Sequence, residues 1–266
     1  VNALFDTHCH LDAPAFDHDR AEVWARARAA GVGGALVPAV EPTTWAKTLA
    51  TAQEGRVAAL GVHPWYLTAQ QDDALDDALA KLVARVREGA WQVVAIGECG
   101  FDGSTETLRA QRSLQRRMFF AHVEVARDLD LPLVVHVLRA HGEALAAMRA
   151  ITLPRPPGVI HGFSGSPELA QEYLALGWHL AVGGAITRPT ARRSVEAVRV
   201  IPLERLLLET DAPNQVPTGV PDGVRRCEPA HLPCIARRVA DVRAMDLDVL
   251  CAKTSANARA LFRCPG

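Results

Sequence analysis

The run ALFDTHCH, Ala3 to His10, begins as an apolar β-type segment and ends in ionisable side chains. Further runs of strand length appear at Ala35 to Val40, Val57 to Val62, Val93 to Gly97, Leu133 to Val135, Gly158 to Ile160, His179 to Gly183 and Leu206 to Glu209, after a first one at Ala3 to Thr7. The first, fourth, fifth, sixth and eighth of these lead directly into His8 and His10, Glu98, His136, His161 and Asp211. In a barrel of parallel strands the carboxyl ends all face one way, and that face carries the active site.

Helical periodicity fills the intervals: Asp17 to Ala30, Thr43 to Glu54, Asp72 to Glu88, Thr105 to Leu129, Ala140 to Ala150, Pro167 to Leu176 and Thr190 to Val200. Ser166 before Pro167 is a cap residue followed by proline at the first helical position. Two more helices, Pro229 to Arg243 and Leu247 to Phe262, follow the last strand. Strict alternation demands a parallel sheet, and eight repeats close naturally into a (β/α)8 TIM barrel of about 250 residues. The expectation is therefore an α/β fold with one domain over residues 1–266. An open doubly wound sheet is the alternative, but no GxGxxG follows the first strand, and an open sheet would spread the ionisable ends apart.

Bulk composition excludes several classes. Apolar residues make up 49% and charged residues 22% of the chain, which is not the composition of a disordered protein. The formal net charge of −1 gives no long-range attraction to nucleic acid or anionic membrane, so anion binding must come from local groups. The cysteines show no CxxC spacing, and no uninterrupted apolar segment reaches the length of a membrane span. A cytoplasmic monomer without an obligate protein partner is the plain expectation. Only Lys47, Lys81 and Lys253 are lysines, so arginine supplies nearly all the positive charge.

His8, His10, Glu98, His136, His161 and Asp211 read together as a metal site. Alternation along a strand puts Asp6, His8 and His10 on one face, with Thr7 and Cys9 on the other. Imidazole with carboxylate suits two divalent ions drawn from Zn, Mn, Mg, Co or Ni without fixing which. Glu98 has two oxygens with which to bridge a pair of cations, His136 and His161 complete the second cation's shell, and Asp211 serves as a first-cation ligand and as the base toward water. Catalytic roles thus fall to Asp211 and Glu98, because two cations divide water activation from charge stabilisation.

Those motifs resemble the TatD family of metal-dependent hydrolases over essentially the whole chain. The resemblance rests on DTHCHLD at Asp6 to Asp12, GVHP at Gly61 to Pro64, IGECGFD at Ile96 to Asp102, HVLRA at His136 to Ala140, IHGFSGS at Ile160 to Ser166, LLLETDAP at Leu206 to Pro213 and EPAHLP at Glu228 to Pro233. It implies a TIM barrel, a divalent pair on the same six ligands, and hydrolysis of phosphodiester bonds in DNA, often as a 3′ to 5′ exonuclease on single strands. GGAIT and DAPNQVP resemble the family's uncharacterised hydrolase branch. Trp65 stands where many members have a second histidine, and Cys227 where asparagine is common.

For the substrate, Arg139 is the candidate phosphate donor and His63 a candidate contact to a substrate oxygen. Arg188, Arg192, Arg193, Arg225 and Arg226 also fall after strands seven and eight. Trp65 and Tyr66 are read as packing against the barrel rim, with stacking on a base as the alternative. The same activated water would also serve hydrolysis of an amide or aminoacyl ester, and a metal-stabilised scaffold without activity is the third possibility.

Overall fold

The computed structural model describes residues 3–67, 72–221 and 223–264. Every expected strand forms: β1 (Leu4–Asp6), β2 (Val32–Pro38), β3 (Arg56–Leu60), β4 (Val93–Asp102), β5 (Leu133–Leu138), β6 (Gly158–Ile160), β7 (His179–Val182) and β8 (Leu206–Leu208). They pair in parallel, each with the next in sequence, as one eight-stranded sheet curled into a nearly closed (β/α)8 barrel. The seam between β8 and β1 is joined above the strands proper. There Thr7 N–H donates to Leu208 O at 3.0 Å, Asp211 N–H to His8 O at 2.8 Å and His10 N–H to Ala212 O at 2.8 Å.

Alternation along the strands separates two apolar layers. Phe5, Leu36, Val57, Ala59, Ala95, Val134, Val159, Ala181 and Leu207 fill the barrel interior. Their sequence neighbours, including Leu4, Val37, Ile96, Val135, Ile160, Val182 and Leu208, face the helices. Those helices are α1 (Arg20–Ala29), α2 (Trp45–Thr51), α3 (Asp72–Arg87), α4 (Glu106–Ala110), α5 (Arg112–Asp128), α6 (His141–Arg149), α7 (Pro167–Ala175), α8 (Arg192–Val200), α9 (Leu232–Arg243) and α10 (Leu247–Phe262). The expected helix over Thr105 to Leu129 is two helices, α4 and α5, which meet at Gln111. Ser166 caps α7 as its sequence predicts, accepting from Leu169 N–H at 3.3 Å.

The amino-terminal mouth of the barrel is plugged by α10, whose Ala258, Leu261 and Phe262 join the interior layer. Phe262 stacks at 6.2 Å on Phe5, and Ser255 Oγ accepts the Phe5 N–H at 3.2 Å. Burial of an aromatic side chain of this size stabilises by about 1.5–3 kcal/mol. With that end filled, the carboxyl ends of the strands form the open face. Among the described residues no helix is long and apolar enough to cross a membrane, and the six cysteines are free.

One buried histidine ties a helix to this open face. His122 on α5 accepts Val62 N–H on Nε2 at 3.0 Å and donates from Nδ1 to Met118 O at 2.7 Å. Accepting at Nε2 requires the neutral ring, and burial pulls its pKa down to about 4. A histidine whose folded pKa lies below its unfolded value stabilises fully above pH 6.5 and loses that contribution as pH falls toward 4. The stability difference between the wild type and His122→Gln should therefore shrink by about 2 kcal/mol from pH 7.5 to pH 5. Urea unfolding at the two pH values checks this, and a constant difference would contradict it.

Candidate metal centre

The stretches that follow β1, β6 and β8 meet the carboxyl end of β5 over β4 at the open face. Glu98 stands at the centre, 2% exposed, on the part of β4 where the register with β5 slips between Ile96 and Cys99. Gly97 permits that course: its φ is +144°, and a Cβ there would lie 2.4 Å from Val134 O. The two carboxylate oxygens of Glu98 face different neighbours. Oε2 lies 3.1 Å from His8 Nε2 and 3.5 Å from His10 Nε2. Oε1 lies 2.8 Å from His161 Nε2, 3.3 Å from His136 Nδ1 and 3.3 Å from His63 Nε2. Asp211 Oδ1 completes the first side, 3.8 Å from His8 Nε2 and 3.6 Å from His10 Nε2.

All six expected ligands are thus brought together, and so is His63. Contacts on the far side of four of these rings bear on what each presents to the centre, whereas His8 Nδ1 has no partner. His10 Nδ1 lies 3.1 Å from Pro38 O, a pure acceptor, so that nitrogen carries the proton and Nε2 presents a lone pair. His136 Nε2 lies 2.9 Å from Asp102 Oδ2, which leaves Nδ1 as the neutral ring's free lone pair. His161 Nδ1 faces Glu209 Oε1 at 3.6 Å and turns Nε2 inward. His63 is the opposite case. Its Nδ1 accepts Trp65 N–H at 3.1 Å, so Nε2 carries the proton and His63 is a hydrogen-bond donor toward Glu98.

The charges follow from the same arrangement. Burial alone would push the Glu98 carboxyl up, but the surrounding His161, His63 and His8 hold it well below the usual carboxylate range. Burial keeps His8 and His63 below their ordinary values, hence neutral. At His136 and His161 burial also works against the proton, yet it is outweighed by Asp102 and Glu98 at the first and by Glu98 and Glu209 at the second, so both are raised. Protons there are the alternative to a cation as counter-charge for Glu98.

The donor set fits divalent metal. Glu98 Oε2 and His8 Nδ1 are buried without a hydrogen-bond partner. The unpartnered carboxylate oxygen faces the lone pair of His10 Nε2, an arrangement that a cation satisfies and a hydrogen bond does not. The groups His8, His10 and Glu98; His8, His161 and Asp211; and His63, Glu98 and His136 each have donor atoms within 4.8 Å of one another. His63 is the member of these groups whose tautomer argues against ligation.

Several residues depart from the sequence reading. Strand β1 ends at Asp6, so strict alternation does not govern the HxH pair, and Asp6 does not share a face with His8 and His10. Asp6 instead turns into the seam, accepting from Thr210 N–H at 2.9 Å and Thr210 Oγ1 at 2.6 Å, with burial pushing its pKa up to about 8. Arg226 is not a free phosphate donor: it pairs with Asp19 and Glu228 and lies over the Phe16 ring at 4.8 Å. Arg139 is exposed, with φ of +53°, and its side chain makes no hydrogen bond or ion pair among the described residues. Trp65 is 60% exposed rather than packed on the rim.

Three supporting residues were missed. Asp102 orients His136, Glu209 faces His161 and accepts Gly162 N–H, and Gln215 donates to Asp211 Oδ2 at 2.7 Å. The signal for the first two was present, since each acid lies in the same motif as a ligand, GECGFD and LLLETD.

The profile of the TatD related DNase family matches residues 5–263, and the chain belongs to that family of metal-dependent hydrolases. It is similar to the "Uncharacterized metal-dependent hydrolase YjjV" of Escherichia coli strain K12, 37% identical over 85% of this chain and 86% of the relative. The "3'-5' ssDNA/RNA exonuclease TatD" of Cronobacter sakazakii is 37% identical over 97% of both chains. The crystal structure of YjjV superposes with a TM-score of 0.89 at 32% identity, covering 98% of each chain.

Carboxylates that orient a ligating imidazole typically contribute 10–100-fold in metal affinity. Asp102→Asn should weaken divalent-metal binding by about that factor, measured by calorimetric titration of metal-stripped protein. Unchanged affinity would show that Asp102 does not orient His136.

Proposed function

We propose that this protein is a phosphodiesterase with a two-cation centre that shortens DNA from its ends, a 3′ to 5′ exonuclease on single strands. The observation that carries the reading is the division of Glu98, with Oε2 toward His8 and His10 and Oε1 toward His136 and His161. In this reading His8, His10, Glu98 and Asp211 hold one ion, and Glu98, His136 and His161 hold the other. Bound there, divalent cations make water more acidic and neutralise charge on the attacked phosphoryl group. The substrate class is supported by the relatives named as exonucleases on single-stranded DNA and RNA.

The chain's own side chains divide the remaining work. Gln215 holds Asp211 Oδ2 at 2.7 Å, so Oδ1 is the oxygen turned toward the centre and the one that accepts the proton of the attacking water. The Asp211 backbone is fixed in the left-handed region, at φ +54°, by its N–H bond to His8 O. His63 is the donor beside Glu98 Oε1 and contacts a non-bridging phosphate oxygen through Nε2. The exposed guanidinium of Arg139 supplies a planar bidentate fork for phosphate.

A 5′-labelled single-stranded oligonucleotide digested by metal-stripped protein, resupplied separately with Mg, Mn, Co, Ni or Zn, tests the assignment. A ladder of stepwise shortening that requires metal is expected, and Asp211→Asn should lower its rate by about 10²–10⁴-fold. Metal-dependent release of the 5′ label as mononucleotide would reverse the polarity. Near-normal digestion by Asp211→Asn would remove Asp211 as the base, and no digestion with any of the metals would overturn the nuclease reading.

A further inference from the structure

Trp65 is exposed yet not free to swing. It sits on the short helical turn Pro64–Tyr66 after β3, 60% exposed. Its indole N–H donates to Asp102 Oδ2 at 2.8 Å, and its backbone N–H donates to His63 Nδ1 at 3.1 Å. The indole also meets the His63 ring edge-to-face at 5.0 Å and 80°. An apolar surface of this size left in water is unfavourable by itself, and an aromatic ring held in one orientation loses little further freedom when a planar group settles on it.

We propose that Trp65 is the stacking platform for an unpaired nucleobase of the strand under hydrolysis, an inference that rests on the nuclease reading above. The carboxylate that anchors the indole also binds His136, whose Nδ1 lies 3.3 Å from Glu98 Oε1, and the Trp65 and His136 ring centroids are 6.4 Å apart. The platform therefore borders the centre where phosphorus would be attacked. In a nucleotide, the planar group lies one sugar away from that atom.

Tyr66, 39% exposed, adjoins Trp65, and Leu138, 40% exposed, pairs in register with Asp102 at the end of β5. The exposed Arg139 follows Leu138. Apolar and aromatic surface thus lies beside a cation at the edge of the centre, which is the combination that binds single strands without regard to sequence. In a duplex the internal bases are stacked on both faces and a terminal base is held by its pairing partner, so the platform favours unpaired nucleotides. Acting through Asp102, Trp65 would also be a positioning residue for His136, and the test must separate that role from stacking.

Two twelve-residue oligomers do so: one of thymidine, and one in which every nucleotide is an abasic tetrahydrofuran. The wild type should cleave the thymidine oligomer with kcat/KM at least about 10-fold above the abasic one, the scale of one base stacked on an aromatic ring. Trp65→Ala should collapse that ratio to about twofold, mainly through KM on the thymidine oligomer. Trp65→Phe, which keeps a ring but drops the donor to Asp102, should retain most of the ratio. Equal loss on both oligomers in Trp65→Ala would mean that the residue acts through Asp102 alone, and the platform would be refuted.

Indole fluorescence gives a readout without turnover. In a Trp91→Phe background, which removes the other exposed tryptophan, the thymidine oligomer should quench emission and the abasic one should not. Base-dependent quenching without cleavage would keep the platform and sink the nuclease reading. Cleavage with neither quenching nor a Trp65 effect would do the reverse, and absence of both cleavage and quenching would sink both.

Discussion

A carboxylate buried among imidazoles is the constraint on which the open face of this barrel depends. Glu98 has almost no water to solvate it, so its charge must be matched by its neighbours. His8 and His10 stand on one side, and His136 and His161 on the other. Each ring is aimed by a contact on its outer edge where one exists: the Pro38 carbonyl behind His10, Asp102 behind His136 and Glu209 behind His161. The carboxylate is therefore balanced by protons on His136 and His161 or by a cation that takes their place among the inward nitrogens, with acceptors behind the rings.

The fold delivers that set because the barrel seam and the centre share residues. The bonds that join β8 to β1 run through Thr7, His8, His10 and Asp211, so closing the barrel also brings the HxH pair to Asp211. Asp6 fastens the same seam through Thr210, the residue between Glu209 and Asp211. On the far side β5 carries His136 near its carboxyl end, His161 follows β6 directly, and β4 runs on to Asp102 to support His136. The plug of α10 fills the opposite mouth with apolar surface, which leaves the carboxyl ends as the face with polar groups and access.

Much of this was legible in the sequence, because the alternation of strand and helix and the ionisable strand ends are local signals. The limits were also local. The apolar run of the fourth strand stops at Gly97, yet β4 continues to Asp102. That stop hid Asp102, whose partner His136 lies 34 residues away. Tautomers are equally invisible in sequence: only the Trp65 N–H at His63 Nδ1 shows that His63 is a donor, although it sits among the ligands. Arg226 looked like its neighbouring arginines until Asp19, brought close by the fold, occupied it. Trp65 reads as packing against the rim, because the hydrogen bond to Asp102 that holds it outward is a contact across 37 residues.

The central claim is that Glu98 divides its two oxygens between two cations. Crystals soaked in manganese and measured for anomalous scattering test it most directly. The account predicts two peaks flanking the Glu98 carboxylate, one among His8, His10 and Asp211 and the other between His136 and His161. A single peak at full occupancy under excess metal, or two peaks with Glu98 bound to only one, would contradict it.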